Sequence, residues 1–364
     1  MAYTDIDDPS AHFHTQIWTG NSGYDVNVVN NANAGNFKPD LIWAKDRVNA
    51  YNHNLVDSSR GVTKTLWSDT NAAEMTASQS NYDTKSFNTN GFTTQAPEYT
   101  NSLGGNNNAN GKVGWQWKAN GGTVTTTPNG TQTTNNMQMA TKHQINSDAG
   151  FSICTYQGAT SYGSFYHGLG VKPDVVIIKS RTDAYDWIVY HSSLSNTHTL
   201  YLDVANGGAT NTAFFPVEPN TTQVYCKDHN SVFRPNGADS YLAYCWAEKQ
   251  GYSKFGSYKG NGNADGTFVY TGFKPAWVLI KKSNSSGTIN HDWMLYDNKR
   301  SPINEVDEVL FPSLDNAESS GDDTDFLSNG FKQRSTGSSQ NASGDTYIYM
   351  AFAENPFTTS TGVP

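Results

Sequence analysis

Cysteine is scarce in this chain: Cys154, Cys226 and Cys245 are the only three in 364 residues, and no CxxC pair occurs. That number excludes a disulfide framework, and the absent pairs exclude a cysteine zinc site or a dithiol redox centre; buried free thiols are expected. Charge is also thin, at 16% of residues, and weighted to acid, with 24 Lys and Arg against 33 Asp and Glu and a net charge of -9. No basic cluster stands against that excess, so nucleic acid is not an expected partner. Long apolar runs are missing as well. The opening MAYTDIDDPS has no basic region leading into an apolar stretch, and no run of about 18 apolar residues occurs. Neither an export signal nor membrane insertion is expected.

What fills the chain instead is Gly (32), Tyr (20) and other aromatics (13% in all), with abundant Asn, Thr and Ser. Mean hydropathy is -0.63. The deficit comes from uncharged polar residues rather than from charge, which suits sheets and polar turns and does not imply disorder.

A repeat organises the chain. The phrase Phe37 to Lys45 (FKPDLIWAK) returns as Val171 to Lys179 (VKPDVVIIK) and as Phe273 to Lys281 (FKPAWVLIK). Other landmarks keep pace. Asp57 lies 18 residues after Pro39, His191 lies 18 after Pro173, and Asp297 lies 22 after Pro275. Aromatic closing strands follow at Val113 to Trp117, Tyr241 to Trp246 and Tyr347 to Phe352. Each copy opens on an aromatic and a glycine: Trp18-Thr19-Gly20, Tyr156-Gln157-Gly158 and Tyr258-Lys259-Gly260. Asn90-Gly91 and Asn329-Gly330, each between apolar residues, predict tight hairpins. The second copy has Val224-Tyr225-Cys226 there and predicts a different turn.

The apolar runs are short, rich in β-branched residues and bounded by Gly, Pro, Asn and Asp, which marks strands. About six to eight per copy is the number two packed antiparallel sheets need. The expectation is an all-β chain of three tandem β-sandwich repeats, jelly-roll or lectin-like: 1–118, 151–250, and 251–364 with a short C-terminal tail. The stretch 119–150, rich in Gly, Thr and Asn, is expected to be a linker with one added strand, leaving the first copy freer than the closely joined second and third. One short helix is expected near Asn304 to Leu310, where Ile303, Val306 and Leu310 share a helical face. Each Lys-Pro pair suits a turn feeding a strand, since Pro is tolerated at a strand's first residue.

Catalytic motifs are absent: there is no GxSxG, HExxH, Walker loop or GxGxxG after a strand. No cofactor and no enzymatic activity are expected. Asn261, Asn263 and Asp265 mimic the start of a calcium loop, but Gly272 stands where the closing Glu belongs, so they are weak metal candidates against a solvated turn. Asp57 with Arg60 and Asp297 with Arg300 are candidate structural ion pairs fixing a turn; the second copy has His191 and Leu194 instead. A glycosidase would need two carboxylates in a cleft, which sequence does not show. Tyr51, Tyr82 and Tyr162 fall in loops and are candidate surface-binding aromatics, whereas Trp117, Trp246, Trp187 and Trp293 recur inside strands and are expected to pack.

With the repeat established, the sequence resembles the tandem-repeat virion proteins of marine bacteriophages, including cyanophages. The phrases that carry this are Gly272 to Lys282 (GFKPAWVLIKK), Ala243 to Phe273, and Asp345 to Phe357 (DTYIYMAFAENPF). It runs from about Trp18 to the end, and the first copy departs most, with WQWKANGG where the others continue into Ala-Glu. The resemblance implies a tail-fibre, receptor-binding or capsid-attached appendage protein, assembled in the host cytoplasm, with other virion proteins as partners and no catalytic residues to carry over. Two alternatives stand beside it: a lectin-like module binding host-surface glycans, and a polysaccharide depolymerase. By analogy the oligomer would be a homotrimer; the competing expectation is a monomer with pseudo-threefold symmetry.

Overall fold

The computed structural model describes residues 4, 6–20, 25–33, 35–76, 84–94, 111–130, 137–158, 162–210, 214–233, 239–284 and 291–356. The protein is all-β, with several antiparallel sheets and none closed. Among the described residues, helical geometry is confined to two three-residue 3-10 turns, Pro9–Ala11 and Ser192–Leu194. No helix among them is long and apolar enough to cross a membrane.

One strand arrangement occurs three times. An opening strand (Phe13–Thr19, Phe151–Gln157, Ser253–Lys259) pairs with the closing strand (Gly111–Trp117, Ser240–Trp246, Thr346–Pro356). The closing strand pairs on its other side with the strand after the Lys-Pro element (Leu41–Asp46, Val175–Ser180, Phe273–Lys282). A fourth strand follows (Asn54–Asp57, Ile188–His191, Met294–Asp297). Pro39 and Pro173 lie just ahead of their strands, as a residue without an N–H should. Pro275 instead falls inside a longer strand, where the register with the closing strand shifts on both sides of it; a bulge is the other place a strand accepts proline.

Each unit adds a small three-stranded sheet. In the first and third it is built on the hairpins Thr84–Asn88/Gly91–Thr94 and Thr324–Leu327/Gly330–Gln333, turning at the two Asn-Gly pairs. Glycine is required there by contact: a Cβ on Gly91 would lie 1.9 Å from the Val28 carbonyl oxygen, and one on Gly330 would lie 2.0 Å from that of Val269. In the second unit Gln223–Cys226 has no such hairpin partner among the described residues, and the third strand, Met137–Gln138, joins parallel to Gly163–Tyr166 from the other side.

Three expectations are corrected. Residues 304–310 form no helix: Val306, Val309 and Leu310 make isolated bridges to Thr324, Ser319 and Leu295, and Ile303 is 78% exposed. Backbone pairing with neighbouring strands wins over a short helical pattern that isolated turns cannot sustain. The 119–150 stretch is more than a linker with one strand. Thr125–Thr127 and Thr141–Asn146 extend the second unit's sheet, and Met137–Gln138 joins its small sheet. Nor is the first unit set apart. One apolar cluster contains Phe13, Trp117, Phe151, Trp246, Trp277 and Phe352, residues of all three units.

At the middle of that cluster the last aromatics of the closing strands meet. Trp117 lies 6.0 Å from Trp246 and 5.6 Å from Phe352 between ring centroids, within the range where aromatic pairs attract beyond simple burial. Phe13 and Phe151 stand opposite Trp117 and Trp246 on the opening strands, whereas the third unit has Ser253 opposite Phe352. Its missing ring is supplied across the sheet by Trp277, at the position held by Leu41 and Val175 in the other units. Trp277 lies 5.6 Å from Phe352 and 5.7 Å from Trp117.

Candidate functional site

The titratable residues singled out by the repeat lie on the seams between units. At the end of each fourth strand a side-chain acceptor caps the turn that follows: Asp57 Oδ1 takes the N–H of Ser59 and Arg60, Asp297 Oδ1 takes those of Lys299 and Arg300, and His191 Nδ1 takes that of Ser193. The remaining polar atom of each then reaches the next unit. Tyr244 of the second unit donates its hydroxyl to Asp57 Oδ2 at 2.8 Å. Trp115 of the first donates its indole N–H to Asp297 Oδ2 at 2.9 Å. His191 of the second bonds through Nε2 to the carbonyl oxygen of Tyr349 in the third at 3.2 Å. The three bonds run in one cyclic sense, first to second to third to first.

The histidine follows from its partner. Trp115 and Tyr244 can donate, but the matching residue of the third closing strand is Met350, which cannot. A carboxylate facing it would be buried without a donor. With Nδ1 accepting from Ser193, the proton sits on Nε2 and meets the backbone oxygen.

Two seams carry a further charged layer. Arg60 Nε bonds Asp57 at 2.5 Å and its Nη1 bonds Glu74 at 3.1 Å; Glu74 is held from the second unit by Arg181, at 2.8 Å to each oxygen. Arg300 Nε bonds Asp297 at 2.6 Å and its Nη1 bonds Glu318 at 2.8 Å; Glu318 is held from the first unit by Arg47 at 2.7 Å. Arg60, Asp57, Arg300 and Asp297 have 0% exposed side chains, so these are buried pairs with their bonding capacity filled, as a buried charge requires. Burial alone would raise the Asp297 carboxyl; the Arg300 charge outweighs it and holds the group below the usual carboxylate range. The same contest lowers Glu74 and Glu318, where paired arginines prevail over desolvation.

Among the described residues the seam between the second and third units has no such layer. Leu194 replaces the arginine and Gly208 takes the place of Glu74 and Glu318, lying so close to Ser283 that a Cβ would sit 2.6 Å from its carbonyl oxygen. Here His291 N–H and Lys281 Nζ both donate to the Ala205 carbonyl, at 3.0 and 2.8 Å, the lysine repeating the bond that Lys179 makes to the Asn71 carbonyl across the first–second seam at 3.1 Å. Lys281 belongs to a buried trio with Lys45 and Lys179, each donating to backbone carbonyls. Burial lowers Lys281 to about 7 and the other two to about 8. Burial likewise lowers His191 to about 4. Trp187 and Trp293 also bridge seams, donating to the carbonyls of Trp67 and Tyr201 at 2.8 and 2.7 Å.

The other candidates are placed apart from these. Asn261 and Asn263 are turn-formers: Asn261 Oδ1 accepts from Asn263 N–H and from Asn341 Nδ2, Asn263 Oδ1 accepts from Asp265 N–H, and Asp265 pairs with Lys332. Their oxygens face donors both within the loop and from the neighbouring segment that carries Lys332 and Asn341. No group of three His, Cys, Asp or Glu placed to hold a metal occurs among the described residues. Tyr51 and Tyr162 are half-buried in loops of different units, and Tyr82 lies outside the described residues. All three cysteines are free and buried, and burial pushes the Cys226 thiol up to about 12.

Sequence reasoning reached Asp57, Arg60, Asp297 and Arg300 but missed Glu74, Glu318, Arg47 and Arg181. A signal existed for the arginines: Arg47 and Arg181 each stand two residues after the repeat lysines Lys45 and Lys179. The glutamates carried none, because the loops before them differ in length.

No curated protein and no solved structure matches the chain. One family model matches residues 8–356, a single span that takes in all three units. The chain therefore belongs to the family described as Domain of unknown function (DUF7483).

Proposed function

We propose that this protein is a structural component of a bacteriophage particle, a tail-fibre, receptor-binding or capsid-attached appendage protein, in which three tandem β-sandwich units act as a scaffold rather than as a catalyst. The observation that carries the reading is the use of the repeat's titratable residues. Asp57, His191 and Asp297, the groups best suited by type to acid–base work, are buried at the seams and bonded to the neighbouring unit. A general acid or base must reach a substrate proton, and these groups reach one another's units instead. The resemblance to phage virion proteins points the same way, as does a body whose three units, each with its own apolar cluster, share a further aromatic one. On this reading the single chain imitates a trimer and acts as a pseudo-threefold monomer.

Purified particles test it. Gold-labelled antibody against the chain, viewed by electron microscopy, should mark a tail or capsid appendage. Absence of the chain from particles by mass spectrometry would overturn the reading.

A further inference from the structure

The strands added from the 119–150 segment create a feature that neither other unit has. In the first and third units the opening strand is the sheet's edge; in the second, Thr141–Asn146 and Thr125–Thr127 lie outside it. The register fixes which side chains share a face there. Thr126 stands opposite Lys142, Lys142 opposite Thr155, and Gln157 opposite Ser240. Thr155 and Gln157, two residues apart on one strand, point the same way, as do Phe151 and Ile153 before them. The inner end of this face is the buried aromatic core. Beyond Ile153 it turns polar and opens to solvent, since Thr155 is half-buried and Gln157 exposed. A cavity of about 460 Å³ lies over it, lined by Thr126, Lys142, Thr155, Gln157, Ser240 and Arg181.

The chemistry of the lining narrows what fits. Hydroxyls and an amide that both donate and accept suit a polyol, in rows about 4.8 Å apart set by the strand spacing. Among the described residues no carboxylate lines the cavity. Arg181 is fixed by Glu74 through Nε and Nη2. Within the chain Asp57, Arg60, Glu74 and Arg181 the charges cancel, so Lys142 supplies one net positive charge on a protein whose total is -9. Lys142 is exposed and makes no ion pair or hydrogen bond among the described residues.

We propose that this cavity is a binding site for an acidic saccharide, with Lys142 meeting the sugar carboxylate and Thr155, Gln157 and Ser240 meeting hydroxyls. The site goes beyond the particle assignment and stands without it. A uronic-acid trisaccharide titrated calorimetrically into the full chain should bind, and the matched neutral trisaccharide should bind at least about tenfold more weakly, the loss of one charge-assisted bond. Lys142→Ala should weaken uronate binding about tenfold and Thr155→Val a few-fold, with melting temperature unchanged, while Lys259→Ala, on an exposed site of the third unit, should leave it intact. Equal affinity in Lys142→Ala and the parent, no binding at about 10 mM sugar, or competition by acetate as strong as by uronate would each overturn the site. A failed titration removes the saccharide and leaves the particle assignment to electron microscopy.

Discussion

The seams of this molecule solve one problem in two ways. Where the first unit meets the second, and where the third meets the first, a buried aspartate–arginine pair is joined through a glutamate to an arginine of the neighbour. Where the second meets the third, a neutral histidine and a glycine pressed against the backbone take their place, beside a lysine–carbonyl bond that the first–second seam also has. The second and third units are joined by only a few residues between Trp246 and Ser253, so the chain itself holds them together. The third and first share no direct connection, while the first and second are joined through residues 118–124, and the 32-residue stretch 119–150 adds its strands to the second unit's own sheets. Short connections cost little closure entropy, yet the first–second seam carries a charged layer with a link about as short as that of the second–third seam, so chain connection alone does not decide where the layer is built.

Breaking the shared centre should have the largest effect. Trp117→Ala removes the ring that touches both other units and should cost about 3–5 kcal/mol; thermal unfolding followed by fluorescence should show the whole body shifting, not one third of it. Breaking a charged seam comes next. Arg300→Met leaves Asp297 buried with its charge uncompensated and should cost about 3–5 kcal/mol by denaturant titration, whereas His191→Ala on the neutral seam forfeits ordinary hydrogen bonds and should cost about 1–3 kcal/mol.

Acid should sharpen the contrast. His191 has a folded pKa of about 4, below its usual 6.5, through burial first, with Asp174 and the Tyr349 carbonyl opposing. The unfolded chain therefore binds the proton more readily. The stability from keeping the ring neutral is fully present above pH 6.5 and is lost as pH falls toward 4, by about 3 kcal/mol. His53 and His167, also lowered by burial, act in the same direction, so the test is the difference: His191→Asn should flatten part of the fall between pH 6.5 and 4. Asp297, lowered by Arg300, keeps its contribution until pH drops below the usual carboxylate range. The smallest effect is expected at the added strand. Gln144 bonds Ser58 and Ser59 of the first unit at 2.9 and 2.6 Å, and Gln144→Ala should cost about 1–2 kcal/mol.

The parts legible in the sequence were those set by local rules. Alternation and turn residues marked the strands, Asn90-Gly91 and Asn329-Gly330 marked their hairpins, and similar spacing from the Lys-Pro pairs, 18, 18 and 22 residues, aligned Asp57, His191 and Asp297. What escaped depends on register and on neighbours distant in sequence. Ser253 looks like a gap in the aromatic pattern until Trp277 is seen to fill its place across the sheet. Glu74 and Glu318 meet arginines more than 100 and 200 residues away. The stretch 119–150 looks like a linker because its Thr- and Asn-rich strands have one polar face, the same property that makes the second unit's cavity.

The central claim is that three units form one body around one core. Differential scanning calorimetry of the intact chain tests it directly. The account predicts a single transition whose calorimetric enthalpy matches its van't Hoff enthalpy. Three resolvable transitions, or a calorimetric enthalpy about three times the van't Hoff value, as three independently melting units would give, would contradict it.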